Sequence, residues 1–181
     1  RCGLLAEADS GIVLLAMAET LGPATAAKLC AVLDRGEART ERDGVRLSAP
    51  ARIGAVAFDE AEPDEPGLAG ALRERLAFDV DLSALRAADA PPLEPPEPPA
   101  PIARPEAGDD VIASLCAAAA SLGIDSLRAP YFTLRAAQAL ATLEGCARVE
   151  AAHAAAAAEL VLAPRATRMP ADQPPPDQPE P

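Results

Sequence analysis

The sequence predicts an α/β unit with a mostly parallel sheet, followed by a small helical bundle. Two aliphatic runs of strand length, residues 11–15 and 52–58, indicate the sheet, because buried strands of a parallel sheet contain few polar residues. Three helix-forming segments between residues 109 and 169 indicate the bundle.

A helix is predicted between the two strands. Pro23 suits the first position of a helix, where its missing N–H is not needed. Residues 24–33 are mostly good helix formers, and their apolar members recur at helical spacing. Gly36 suits the end of this helix.

Three more elements are expected in this half of the chain. Asp43-Gly44 lies between two strand-like runs and predicts the turn of a β-hairpin. A short helix is expected over residues 68–76. Alternating apolar and acidic residues predict a half-buried strand over residues 78–82.

Two proline-rich segments predict linkers. Residues 91–105 contain eight prolines mixed with Glu, a density that prevents the regular hydrogen bonding of a helix or sheet. Between this segment and a second one, residues 170–181, helices are expected over residues 111–122, 129–143 and 149–162. The predicted domains are an α/β unit over residues 1–88, a linker over 89–108, a helical unit over 109–169 and an acidic proline-rich linker over 170–181.

The composition argues against several kinds of partner. The formal net charge is −12, with 28 acidic against 16 basic residues, whereas nucleic acids and anionic membranes require a basic face. No stretch of the sequence approaches the ~20 apolar residues of a membrane-spanning helix. We therefore expect a cytoplasmic protein without a nucleic-acid or membrane partner.

The cysteines and the histidine do not form a recognisable metal motif. Cys2, Cys30, Cys116 and Cys146 are far apart and include no C-x-x-C pair, so we expect buried free thiols and no metal site. His153 is the only histidine and lies among alanines. We interpret it as a structural or exposed residue rather than a catalytic base.

The first predicted strand ends on residues that do not suit ATP hydrolysis. In P-loop ATPases the corresponding strand ends in acids, because an Asp holds Mg²⁺ and a neighbouring Glu orients water. Ala16 and Met17 occupy these two positions. Residues 3–19 otherwise resemble the Walker-B region of the AAA+ subunits of magnesium chelatase, and the version without acids resembles the D subunit. Residues 123–130 and 162–168 resemble the lid of the same subunit.

This resemblance implies a fragment that holds the C-terminal half of an AAA+ P-loop NTPase core followed by the helical lid. We expect the fragment to lack the P-loop region and the C-terminal integrin-I-like domain of the family, and to have no ATPase activity of its own. The sequence contains no G-x-x-x-x-G-K-[ST] motif.

The resemblance also implies a role in a hetero-oligomer. In the family, the D and I subunits form hexameric rings and the I subunit hydrolyses ATP. The assembly drives insertion of Mg²⁺ into protoporphyrin IX on the H subunit, in chlorophyll and bacteriochlorophyll synthesis. The expected partners are therefore the I and H subunits, with ATP and Mg²⁺ as cofactors of the assembled complex and none in this fragment.

Two sets of arginines are candidate functional residues by the same resemblance. Arg75 matches the arginine finger, which points at the nucleotide of the adjacent subunit; the alternative is a solvated arginine on a charged helix. Arg165, or its neighbour Arg168, matches sensor 2, which contacts the γ-phosphate. The alternative for this pair is stabilisation of the carboxyl end of the third helix.

The sensor-1 position falls on Asp59 or Glu60. Hydrolysing members of the family prefer Asn there, and an acid would repel the γ-phosphate, which is a second indication of lost hydrolysis. Glu19 lies two residues beyond the expected catalytic Glu position. Capping or solvation of the next helix is therefore favoured for Glu19 over a displaced catalytic acid.

Two other interpretations remain open at this point. The chain is also compatible with a cobalt chelatase or MoxR-type AAA+ subunit, because the sequence does not reveal the substrate. A non-enzymatic interaction module is the third possibility, and it would leave the turnover of any ATPase partner unchanged.

Overall fold

A computed structural model shows the fold of the protein. It describes residues 3–42, 44–62, 64–86, 88, 90 and 104–168. The chain divides into two compact units, one within residues 1–76 and the other within residues 77–181. The finer domain boundaries expected from the sequence stay predictions.

The first unit combines a parallel strand pair, a β-hairpin and short helices. A one-turn 3₁₀ helix, Ala18–Thr20, follows the first strand. The other elements in chain order are α1 (Leu4–Glu7), β1 (Ile12–Leu15), α2 (Pro23–Arg35), β2 (Glu37–Arg42), β3 (Val45–Pro50), β4 (Gly54–Ala57) and α3 (Gly70–Arg73).

The predicted parallel strands are confirmed. β1 pairs with β4 in parallel, with Ile12 opposite Gly54 and Leu15 opposite Ala57. One face of this pair packs on the apolar core of the unit. The other face is exposed, because Ile12 and Leu14 keep 69% and 67% of their surface accessible. The strands are therefore half-buried and not buried as expected, because even the residues that face the core keep intermediate exposure.

The core of the first unit holds the helices against the strands. Leu29 of α2 and Leu72 of α3 are buried together with Ala18, which follows β1. Leu72 has no exposed surface. The positions of α2 and α3 relative to the strand ends are consequently set by close packing of these side chains.

The predicted hairpin is confirmed as well. β2 and β3 pair antiparallel from Glu37 opposite Pro50 to Arg42 opposite Val45. Asp43, half of the predicted turn, lies outside the described residues. Gly36 ends α2 in the left-handed conformation, with φ of 68°, as the sequence predicted.

The strand expected over residues 78–82 is wrong. These residues are exposed and belong to no strand, and Asp81 accepts a hydrogen bond of 2.8 Å from the Ser83 N–H. An alternating pattern yields a strand only where a second strand supplies hydrogen bonds. No strand in the described part of the chain pairs with this segment, so local turn bonding by the aspartate prevails.

The second unit is a three-helix bundle, as predicted. Its elements are α4 (Asp109–Ser121), α5 (Arg128–Leu143), α6 (Ala151–Val161) and a 3₁₀ turn, Ala163–Arg165. Its core is rich in alanine: Ala137, Ala141 and Ala157 have no exposed surface. Small side chains allow the helix backbones to approach each other closely.

The end of the predicted first linker is attached to this bundle. Pro105 is buried, and its carbonyl accepts a hydrogen bond of 3.1 Å from the Gln138 amide. The Glu106 carbonyl accepts a 2.8 Å bond from the Val149 N–H. The rest of the linker, residues 91–103, and the second linker lie outside the described residues.

The turn after α4 is hydrogen-bonded to the segment that follows the last helix of the bundle. The Leu122 carbonyl accepts the N–H groups of Thr167 and Arg168 at 3.0 and 3.1 Å. The Thr167 hydroxyl donates to the Gly123 carbonyl at 2.6 Å. Gly123 has φ of 69°, and a Cβ there would lie 2.5 Å from Thr167 Oγ1. This site therefore requires glycine for both its backbone angle and its space.

We predict that Gly123→Ala destabilises the helical unit more than Gly145→Ala. Gly145 has a similar φ of 73°, but a Cβ at this position would meet nothing within 4 Å, so its substitution carries only the left-handed penalty of about 1–2 kcal/mol. Gly123→Ala adds a clash with Thr167. Amide hydrogen exchange in α5, measured as a function of urea, gives the free energy of unfolding. Equal losses in the two variants would contradict the crowding at Gly123.

Candidate functional site

The candidate site of the first unit lies where β1 and β4 end. The Phe58 N–H donates to the Leu15 carbonyl at 2.9 Å, and the Ala18 N–H donates to the Phe58 carbonyl at 2.8 Å. These bonds extend the parallel pairing past both strands. The carboxyl edge of a parallel sheet is where α/β proteins bind their ligands, so the residues that follow both strands are brought to one place.

The residues directly after β1 do not fit a magnesium–nucleotide site. Ala16 and Met17 are both exposed, and Met17 adopts the left-handed conformation with φ of 47°. Mg²⁺ prefers oxygen ligands in octahedral geometry, and neither a methyl group nor a thioether supplies one. These two residues therefore supply no ligand for Mg²⁺ and no group that could orient a water molecule.

Glu19 connects the two strand ends. Its Oε2 accepts a hydrogen bond of 3.1 Å from the Glu60 N–H, and the residue lies within the 3₁₀ helix that follows β1. The carboxylate thus satisfies a backbone donor of the loop after β4. This contact favours a structural role for Glu19, although the carboxylate bonds to the loop after β4 and does not cap the next helix as the sequence suggested.

Asp59, one of the two residues predicted for the sensor-1 position, organises the loop after β4. Its Oδ2 accepts the Leu68 N–H at 2.8 Å and Arg73 Nη2 at 3.0 Å. A Cβ on Gly67 would lie 2.8 Å from the same oxygen, so this glycine permits the close approach. Glu60, the other candidate, is exposed.

Arg75 is held within the first unit by a two-point ion pair. Its Nε donates to Asp34 Oδ1 at 3.0 Å and its Nη2 donates to Asp34 Oδ2 at 2.6 Å. Its Nη1 donates to the Ala71 carbonyl at 2.7 Å. Donation of these hydrogen bonds to the Asp34 carboxylate raises the pKa of Arg75 above its usual value. This side chain is not the solvated arginine that the alternative interpretation expected.

The two lid arginines differ in their surroundings. Arg165 Nη1 donates to the Val161 carbonyl at 2.7 Å, so this cation stabilises the carboxyl end of α6. Arg168 is exposed, and its backbone N–H is held by Leu122. The geometry thus fits the helix-end interpretation for Arg165 and leaves the guanidinium of Arg168 at the surface.

Sequence reasoning missed a cluster of three possible metal ligands. Glu144, Cys146 and His153 bring one ligand atom each within 4.8 Å of one another. The cluster is formed by the turn at Gly145, which places the end of α5 beside the start of α6. The signal in the sequence is Glu-x-Cys followed by a histidine seven residues after the cysteine.

The hydrogen bonds of His153 do not suit a metal ligand. The Glu150 N–H donates to Nδ1 at 2.9 Å, so Nδ1 carries no proton and Nε2 must carry it. Nε2 then donates to Glu144 Oε2, 3.0 Å away. A metal at Nε2 would displace this proton, whereas ligating histidines normally donate their other ring N–H to an acceptor. His153 instead completes a capping box for α6, which is the structural role expected for it.

We predict that His153→Ala lowers the stability of the helical unit by about 1–3 kcal/mol, because it leaves the Glu150 N–H without its cap and opens a buried space. Glu144→Gln is the matched control, since its amide oxygen still accepts from Nε2, and it is expected to cost less. Adding Zn²⁺ is expected to leave the thermal midpoint unchanged. Stoichiometric Zn²⁺ binding that disappears in His153→Ala would contradict the capping assignment.

None of the helices in the described parts of the chain has the length and apolar character needed to cross a membrane. The cysteines at positions 30, 116 and 146 are free, and only Cys30 is buried. The described thiols are thus free as expected, but the expected burial is wrong for Cys116, which is exposed, and Cys146 is only partly buried.

Comparison with known proteins identifies the family. Residues 112–181 match the AAA lid domain family. The magnesium-chelatase 60 kDa subunit of Rhodobacter capsulatus is 38% identical over 154 residues, which cover 80% of this chain and 27% of the relative. The subunit of the same name from Cereibacter sphaeroides is 38% identical over 177 residues, which cover 95% of this chain and 29% of the relative.

The chain thus spans less than a third of the length of these curated relatives. The similarity nevertheless runs through both structural units, and the lid match falls on the helical one. The parallel strand pair and the helical bundle agree with the C-terminal half of an AAA+ core followed by its lid. On these grounds the chain belongs to the magnesium-chelatase 60 kDa subunit family, as a D-type segment that includes the AAA lid.

Proposed function

We propose that this chain is part of a non-hydrolysing AAA+ platform of magnesium chelatase. In the proposed complex, an I-type AAA+ subunit hydrolyses ATP and an H-type subunit carries protoporphyrin IX, into which Mg²⁺ is inserted. The product is used in chlorophyll and bacteriochlorophyll synthesis. The names of the two relatives support magnesium rather than cobalt as the inserted metal.

The observation that carries the non-hydrolysing role is the end of β1. Ala16 and Met17 stand beside the end of β4 and offer no oxygen ligand. The nearby acids have structural partners: Glu19 accepts a backbone N–H and Asp59 pairs with Arg73. A site of this kind lacks the groups that hold Mg²⁺ and orient water in hydrolysing ATPases.

Arg75 is the residue proposed to act on the neighbouring subunit. A guanidinium beside the γ-phosphate stabilises the charge of the transition state and is worth roughly 10³–10⁵ in rate. The Arg75 side chain is held in one orientation by Asp34 but keeps 20% of its surface accessible. An ordered, partly accessible guanidinium suits a role in trans better than a mobile one, because less entropy is lost on contact.

Arg168 is the better candidate for contact with a nucleotide phosphate in the lid. Its side chain is exposed, whereas Arg165 donates to the carboxyl end of α6. Glu60, the exposed acid at the expected sensor-1 position, would repel a γ-phosphate, whereas the charge of Asp59 is offset by its ion pair with Arg73. This repulsion supports regulation rather than hydrolysis by the D-type subunit.

We predict that Arg75→Ala in the full-length parent subunit lowers the ATP turnover of the cognate I-type subunit by about 10³-fold or more if Arg75 supplies the finger. Steady-state ATPase assays of the mixed complex measure this effect. Arg46→Ala is the control, because it removes an exposed arginine of the same unit that pairs with Glu41 in the hairpin, and turnover is expected to change little. Unchanged turnover in Arg75→Ala would rule out the role in trans.

The parent subunit alone is expected to hydrolyse no ATP above background. The reason is the lack of an acid at Ala16 and Met17. The measurement is phosphate release by the purified parent, with the I-type subunit as a positive control. Hydrolysis by the parent without a partner would overturn the non-hydrolysing assignment.

A further inference from the structure

Asp34 and Arg75 come from two helical segments that the core brings together. Asp34 lies near the end of α2, and Arg75 follows α3 by two residues. Leu29 of α2 and Leu72 of α3 are buried in the same apolar cluster. The distance between the carboxylate and the guanidinium is therefore set by core packing and not by a flexible loop.

The pairing orients the whole guanidinium plane. Nε and Nη2 donate to the two carboxylate oxygens of Asp34, which is the two-point geometry that fixes an arginine most tightly. Nη1 adds a third bond to the Ala71 carbonyl. The same carbonyl accepts a hydrogen bond of 3.5 Å from the Sγ of buried Cys30. Three bonds in different directions leave one orientation for the plane.

Two donors of Arg75 do not bond to an oxygen. A guanidinium has five N–H groups, and three of them have the acceptors just described. Within the described part of the chain, the other two, one on Nη1 and one on Nη2, have no oxygen acceptor. The Cys30 side chain hydrogen-bonds the guanidinium, but its sulfur is only a weak acceptor. A terminal phosphate presents oxygens that such an arginine can bind.

Arg46, an exposed arginine of the same unit, makes a weaker kind of ion pair. Arg46 donates through Nε to Glu41 Oε2 at 3.0 Å, with 84% of its side-chain surface and 61% of that of Glu41 accessible. The corresponding values for Arg75 and Asp34 are 20% and 37%. Exposed pairs of the first kind contribute little to stability. The Asp34–Arg75 pair is thus distinguished by its partial burial and its two-point contact.

We propose that Asp34 is a positioning residue for Arg75, which orients its two remaining N–H groups toward the terminal phosphate of a nucleotide bound by the adjacent subunit. This inference rests on the proposed role of Arg75 in trans. Asp34 does not touch the nucleotide and acts only through the guanidinium. Removing its charge should therefore affect the chemical step on the partner and not the binding of ATP.

The test is a double-mutant cycle in the full-length parent, assayed as ATP turnover of the cognate I-type subunit. The variants are Asp34→Asn, Arg75→Ala and their combination. Asp34→Asn is expected to lower kcat by up to about 10²-fold, the loss typical of a misplaced catalytic group, with KM for ATP unchanged. The combined variant is expected to have the same turnover as Arg75→Ala, because Asp34 is proposed to affect turnover only through the arginine.

Glu41→Gln is the matched control for Asp34→Asn. It makes the same chemical change in the carboxylate partner of another arginine, and turnover is expected to stay at the wild-type level. Thermal unfolding of every variant reports whether the first unit remains folded. The proposal would be overturned if Asp34→Asn lowered only stability or assembly and kcat at saturating parent subunit stayed normal. Asp34 would then have a purely structural role.

Arg75→Lys keeps the test decisive if Asp34→Asn does not fold. Lysine retains the charge but cannot make the two-point contact, so its kcat is expected to fall as in Asp34→Asn. Full turnover with lysine would overturn the positioning role while leaving the role in trans intact. No effect of Arg75→Ala would instead overturn the proposed function itself.

Discussion

The parallel pairing of β1 with β4 is the constraint on which the candidate site depends. Because Leu15 lies opposite Ala57 and the pairing continues through Phe58, the residues after both strands emerge side by side. This alone places Met17 near Asp59. Had the two strands been antiparallel, their carboxyl ends would lie at opposite edges. The lack of acids at the two positions directly after β1 is meaningful because this register defines where such acids would act.

The second constraint is the packing of α2 and α3 on one face of the strands. It places Asp34 within hydrogen-bond distance of Arg75, although the two residues are 41 positions apart. Arg73 turns instead to Asp59, in the loop after β4. Two arginines of one short segment thus make different pairs: Arg73 joins the segment to the loop after β4, and Arg75 joins it to the end of α2.

Predictions from local sequence patterns were correct where interactions between neighbouring residues determine the structure. The turn at Gly36 and the helices of the bundle follow from backbone preferences and apolar spacing, and the structure contains them. The prediction of a strand over residues 78–82 failed, and the prediction of the hairpin succeeded, because a strand requires a partner strand. β2 finds a partner next to it in the chain, whereas the alternating segment would need a distant strand, and Asp81 bonds to its own turn.

The sequence by itself determined the fold class, the acid-free end of β1 and the family resemblance, because each depends on residue types in consecutive positions. Only the tertiary structure determined which charged side chains pair with each other. It assigned Arg165 to the end of α6, joined Arg75 to Asp34, and showed that His153 caps a helix through Nδ1. The physical reason is that ion pairs and histidine tautomers depend on distances of about 3 Å between atoms, and packing alone sets such distances between residues far apart in the chain.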